Sequence, residues 1–243
     1  AKTLFPYTTL FRSHGRQWQD DLAALELAQR RRRAIAGGMT TRTAVDSFTQ
    51  IATVRIDLKD SDPPIWRMVE VPTSITLKVL HDIVQVTMGW FDYHLWEMVI
   101  GGQTYGLPMD EDWGTAPRKV ASRTRLRDVL APSTTTIDYI YDFGDNWHHV
   151  IKVEKIDDAI PGGEYPRLVR AIGACPPEDV GGGPGYADFL EAMADPNHEE
   201  HARMLEWHGG KFDPDEAEIG RILVNFERLA KKWGPKPRKP KAV

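Results

Sequence analysis

The chain has 243 residues, 41% of them hydrophobic and 27% charged, an ordinary globular composition with enough apolar material for one sizeable core. Its formal net charge is −4, yet Lys231, Lys232, Lys236, Arg238, Lys239 and Lys241 crowd the last thirteen residues without an acid, which leaves about −10 on the remainder. That balance excludes a phosphate-binding surface over the whole molecule; the lone Cys175 excludes an internal disulfide or a multi-thiolate zinc centre, and no apolar run reaches the ~20 residues of a membrane span.

Residues 1–13 share no periodicity with the rest of the chain and read as translated adaptor sequence, and Pro6 and two threonines break the Leu4–Phe11 run that a signal peptide would need. With one cysteine, a reducing compartment is expected, and the cytoplasm is the default location. Asp20 to Ala36 then reads as a helix, with acids at its start, Arg30 to Arg33 in its last turns and Gly37-Gly38 as its stop. Residues 1–49 are therefore expected to be an extension.

Folding is expected to begin near Gln50. Val54, Ile56 and Leu58 alternate with polar neighbours, Asp60 to Pro64 breaks the chain, and Ile65 to Val71 resumes as the second strand of a hairpin. From Thr76 the period becomes helical, with Leu77, Leu80, Val84 and Met88 on one face and Gly89 as the stop. Leu95 to Ile100 and Gln103 to Gly106 flank Gly101-Gly102, a pair suited to a primed two-residue turn, so a second hairpin follows.

Leu107 to Arg125 reads as a long loop before a helical turn at Leu126 to Leu130. Ile137, Tyr139 and Tyr141, then Trp147, His149, Ile151 and Val153, form the central hairpin, with Gly144 expected to supply the positive backbone angle of its turn. Leu168 to Ile172 can add one more strand. Helices follow at Tyr186 to Ala194, from Asp195-Pro196 to Trp207, and from Asp213-Pro214 through Leu229, and both Asp-Pro pairs read as helix starts. The expected fold is α+β: a largely antiparallel sheet built from hairpins, one helix between the first two, and helices C-terminal over residues 50–230. Residues 231–243 form a basic tail.

Three blocks carry a family resemblance. Ile65-Trp66-Arg67 leads through Val71-Pro72, Thr76 to His81 and Met88-Gly89-Trp90 to His94-Leu95; Tyr141-Asp-Phe-Gly-Asp145 precedes Trp147 and His149; Cys175-Pro-Pro-Glu-Asp179 leads through Gly181, Gly182 and Tyr186 to Phe212-Asp-Pro214. From about Gln50 to Phe226 the chain resembles the Ri-plasmid ORF-3-like family, whose members are often labelled transposon-passenger or TnpR-type proteins. The resemblance implies an α+β fold and an association with mobile elements. Many relatives carry a histidine where this chain has Trp96, so that position offers no ligand here. The resolvase label has no support in the residues: a serine recombinase needs a nucleophilic serine backed by arginines, and no basic cluster lies inside the expected domain.

The expected role is therefore a binding or accessory module. The candidate binding residues are Asp142, Asp145, Trp147, His149, Glu178 and Asp179, which a loop folding back onto the Gly144 turn would gather. Asp142, Asp145, His149 and Cys175 offer oxygen, nitrogen and sulfur donors that suit a divalent transition metal, and a metal-dependent hydrolase or nuclease built on them is the alternative. The plainer reading makes the aspartates turn caps, His149 a core histidine and Cys175 a small buried group. His198 and His201 stand one residue short of a zinc-protease spacing, His81 and His94 bracket the first helix in packing or capping roles, and Gly181 to Gly185 lacks the lysine of a phosphate loop. Trp113 in the long loop could stack on a ligand, and Lys231 to Lys241 could make weak nucleic-acid contact.

Overall fold

The computed structural model describes residues 49–108, 118–131, 135–160 and 163–233. The expected Asp20–Ala36 helix, Trp113 and the tail beyond Trp233 lie outside them. The strands are β1 (Gln50–Leu58), β2 (Ile65–Pro72), β3 (Trp96–Ile100), β4 (Gln103–Gly106), β5 (Lys119–Val120), β6 (Thr136–Tyr141), β7 (Trp147–Asp158) and β8 (Arg167–Ile172). They form one sheet in the order β5-β4-β3-β6-β7-β1-β2-β8, and only the β4–β5 pairing is parallel. The helices are α1 (Leu77–Met88), α2 (Leu126–Val129), α3 (Gly182–Ala194), α4 (His201–His208) and α5 (Ile219–Trp233), with a 3₁₀ turn at Ala121–Arg123. The expected α+β class and the C-terminal helices are both present.

Period-two alternation places one face of the sheet inside. Met98, Tyr139, His149, Leu58 and Ile65 are successive cross-strand partners from β3 to β2, each at most 5% exposed, so one row of side chains crosses most of the sheet. On β1 the partly exposed Arg55 and Asp57 alternate with that buried row, and Arg55 lies over the Trp66 ring at 4.3 Å. Gly101 and Gly102, with φ of +56° and +79°, close the β3–β4 turn as their sequence demands.

Helix α1 packs on the buried face. Thr76 caps it by accepting from the Val79 N–H, and Gly89 ends it at φ +82°, with its own N–H on the Gln85 carbonyl. Leu80, Ile83 and Val84 are fully buried, each contributing about 1.5–3 kcal/mol. The His81 ring stacks on Trp96 at 4.1 Å and its Nδ1 meets the Tyr139 hydroxyl at 2.8 Å, which fixes the helix over β3 and β6. Arg67, 1% exposed, donates to the carbonyls of Thr87, Trp66, Ile172 and Gly173 at 2.6–2.9 Å. It ties the end of α1 to the end of β8 through backbone oxygens alone.

Three expectations about local geometry fail for a common reason. Asp195 and Asp213 do not cap helices: their Oδ1 atoms accept from the N–H groups of Asn197 and Asp215, two residues on, so each Asp-Pro makes a local turn. Helices α4 and α5 accordingly start only at His201 and Ile219. In the β6–β7 turn the positive φ falls on Asp142 (+55°) and Asn146 (+56°), not on Gly144, because the Asp142 Oδ1 accepts from the Gly144 N–H at 2.9 Å. Aspartate supplies its own turn-forming acceptor.

A candidate cation-binding seam

Two turns meet at the end of the sheet where β6 turns into β7. The first is Asp142–Asn146; the second is the segment Cys175–Gly181, which leaves β8 and enters α3. The Gly181 N–H donates to the Asp145 Oδ2 at 3.1 Å. Behind this seam, the Trp90 indole donates to the Pro176 carbonyl at 3.0 Å and stacks on Tyr141 at 4.9 Å, so the loop rests on the aromatic core.

Glu178 is held from three sides. Its Oε1 accepts from the Tyr141 hydroxyl and its Oε2 from the Phe91 N–H at 3.0 Å, while the Oε1 lies 3.9 Å from the His94 Nε2. Desolvation first, and then the neighbouring carboxylate, push the Tyr141 hydroxyl well above the ordinary tyrosine value, so it acts as a donor here. The third segment of the seam is the loop Phe91–Leu95. Asp92 clamps that loop to α1 through His81 (2.7 Å) and Lys78 (3.1 Å), with its N–H on the Gln85 Oε1. Although burial opposes ionisation, the His81 and Lys78 contacts together hold the Asp92 carboxyl down at about 2.

His94 completes the seam. Its Nε2 is 2.8 Å from the Asp179 Oδ1 and 3.6 Å from the Asp142 Oδ2, and one donor atom from each residue lies within 4.8 Å of the others. Asp142 and Asp179 both have positive φ, +55° and +58°. Side-chain exposure grades from 13% at Asp142 through 31% at His94 to 64% at Asp179, so the cluster opens outward. Exposed apolar side chains flank it along the chain: Phe91 (63%) and Tyr93 (73%), stacked at 5.5 Å, then Leu95 and Phe143.

The donor set fits a divalent ion. Ligands about 2.1 Å from a tetrahedral ion stand about 3.4 Å apart, close to the His94–Asp142 separation; the shorter His94–Asp179 contact is a hydrogen bond whose proton a metal would replace. A second cluster, His81, Asp82 and Asp92, is equally close-set but differs in one respect. Lys78 already places its ammonium 2.7 Å from Asp82 and 3.1 Å from Asp92. Among the described residues, the ion pairs of Asp142, Glu178 and Asp179 involve His94 alone.

Of the residues singled out in the sequence, Asp142, Asp145, Glu178 and Asp179 come together here. Trp147 and His149 do not: both are on the buried face of β7, and His149, 0% exposed, donates from Nδ1 to the Trp147 carbonyl at 2.9 Å while its Nε2 has no partner. Burial pushes its imidazole down to about 3. Burial likewise pushes the Cys175 thiol up to about 12, and its sulfur is not among the donors that converge at the seam. The sequence offers His94 only as a packing or capping residue. Its one signal is a histidine in a Phe-Asp-Tyr-His-Leu loop just past a helix stop, among apolar residues with no strand of their own to occupy.

This is a two-layer α+β domain with a polar seam at one end of its sheet. The sequence profile of the plasmid pRiA4b ORF-3-like proteins matches residues 50–221, and the chain belongs to that family. It is 42% identical over 193 residues to the uncharacterized protein y4hQ of Sinorhizobium fredii (strain NBRC 101917 / NGR234), an alignment covering 78% of this chain and 97% of that one. The crystal structure of a protein of unknown function, MM3350 from Methanosarcina mazei Go1, is similar at a TM-score of 0.65 and 34% identity, covering 70% of this chain and 96% of that one. No helix among the described residues is long and apolar enough to cross a membrane.

Proposed function

We propose that this protein is a binding module that captures a divalent metal ion at the seam, with His94, Asp142 and Asp179 as ligands. The observation that carries this reading is the convergence of three donors from three separate segments within 4.8 Å, with no lysine or arginine paired to any of these three residues among the described residues. Glu178 serves as a fixed neighbour, because Tyr141 and the Phe91 N–H hold both its oxygens. The ion faces outward on the Asp179 side, and a ligand held there would lie beside Phe91, Tyr93 and Phe143. In this reading the module is an accessory to mobile elements rather than a recombinase, since Arg67, the fully buried arginine, is committed to backbone carbonyls.

The test is metal content after exchange against manganese and zinc, with isothermal titration of the chelated protein. One equivalent is expected in the wild type, falling at least tenfold in affinity for His94→Ala and Asp142→Asn while Lys155→Ala, which removes an exposed lysine paired with Asp157 on β7, is unaffected. Equal binding by all four proteins would sink the proposal. Hydrolysis is a second reading, favoured by the exposure of Asp179, which leaves a coordination position accessible. It requires metal-dependent turnover of an activated phosphodiester that His94→Ala abolishes.

A further inference from the structure

Beside the seam, α3 and α4 enclose a cleft of about 630 Å³, lined in part by Asp179 and within the size range of ligand sites. Its floor includes Phe189, 1% exposed, and one wall is Trp207, 48% exposed and edge-on to Phe189 at 5.9 Å. A half-exposed indole against a buried phenyl is apolar surface left open to a partner.

The charge around that surface is predominantly negative. Asp188 and Glu191, one helical turn apart on α3, and Glu199 and Glu200 in the turn before α4 all line the cleft. Arg203 is the one lysine or arginine in the lining, and its Nε is engaged by Glu200. Asp188, Glu191 and Glu199 have no cationic partner among the described residues. A phosphate backbone entering here would meet like charge, whereas an ammonium or guanidinium would gain both the carboxylates and the indole face.

We infer that this cleft docks a basic peptide segment of a partner protein, with an aliphatic or guanidinium stem on Trp207 and its charge between Asp188, Glu191 and Glu199. The helix pair is rigid enough to hold this shape: the His201 Nδ1 meets the Ala192 carbonyl at 2.7 Å, fastening the start of α4 to the end of α3. Of the three proposed metal ligands the cleft includes only Asp179, so the two sites are separable by experiment.

A fluorescein-labelled peptide of alternating lysine and leucine, eight residues long, serves as the probe in an anisotropy titration at 150 mM salt. Glu191→Lys with Glu199→Lys is expected to weaken binding tenfold or more and Trp207→Ala several-fold. Glu154→Lys with Asp158→Lys on exposed β7 makes the same change in net charge and is expected to shift it less than twofold. Loss of the same size in the β7 control would reduce the effect to overall charge and overturn the inference, as would tighter binding of a single-stranded DNA 20-mer or no peptide binding at all. His94→Ala separates the readings: it removes metal in the seam experiment and is expected to leave peptide affinity within twofold.

Discussion

The carbonyl oxygen of Asp145 stands 2.6 Å from where a Cβ on Gly182 would sit, and Gly182 adopts φ +67°. The seam can close only because that residue has no side chain. Gly182→Ala adds a left-handed backbone strain of about 1–2 kcal/mol and a clash with main chain that cannot rotate away. We expect a lower melting temperature together with at least tenfold weaker metal binding, read by thermal unfolding and calorimetry. A variant matching wild type in both would show that the two turns do not need this close approach.

Arg67 is the next test, because its guanidinium fills a buried position without a carboxylate. Desolvation pulls its pKa down, and four carbonyl acceptors from β2, α1 and the end of β8 compensate the cost of burying the charge. Arg67→Ala strands those carbonyls and should destabilise by about 3–5 kcal/mol in urea denaturation. Arg67→Lys should recover less than half of that, since a single ammonium cannot reproduce the planar fork. Full recovery by lysine would show that charge alone suffices.

Acid sensitivity should follow from His149. Its folded pKa of about 3 lies below the ~6.5 of an unfolded imidazole, so the unfolded state takes up the proton first. Stability contributed by keeping this ring neutral is therefore complete above ~6.5 and is lost as pH falls toward 3, roughly 5 kcal/mol over the window. Asp92, with a folded pKa of about 2, adds a further loss below about 4 in the same direction. Urea midpoints at pH 7 and pH 4.5 should diverge in the wild type and much less in His149→Phe. An unchanged pH slope in that variant would place the acid-sensitive group elsewhere.

Cys175 should behave as an unreactive thiol. Burial outweighs the nearby Arg67 and Arg221 and raises it to about 12, so the thiolate fraction at neutral pH is negligible. Labelling by iodoacetamide should be at least a hundredfold slower in the native protein than in denaturant, and Cys175→Ser should keep full metal affinity. Fast native labelling would restore the sulfur as a candidate ligand.

Periodicity and punctuation alone specify the hairpin strands, their buried face and the α1 boundaries, since alternation at Ile137, Tyr139 and Tyr141, the Thr76 cap and the Gly89 stop each act within a few residues; the two-residue β5, Lys119–Val120, and the 3₁₀ turn after it are too short to show a period, and that stretch reads as loop. They also mark Asp142, Asp145, Glu178 and Asp179 as polar groups beside turns. Which imidazole joins them is a different kind of fact. His149 shares the period of its strand and is carried inward with Trp147, while His94 reaches the acids only because Asp92 clamps its loop to α1 and Gly182 admits the second turn. The Asp-Pro pairs mislead for the related reason that an aspartate can accept from the N–H two residues on as readily as from a helix start, and local sequence does not choose between them. Side-chain direction within an element is a local property of the backbone; the meeting of loops far apart in the chain depends on tertiary contacts that no local pattern encodes.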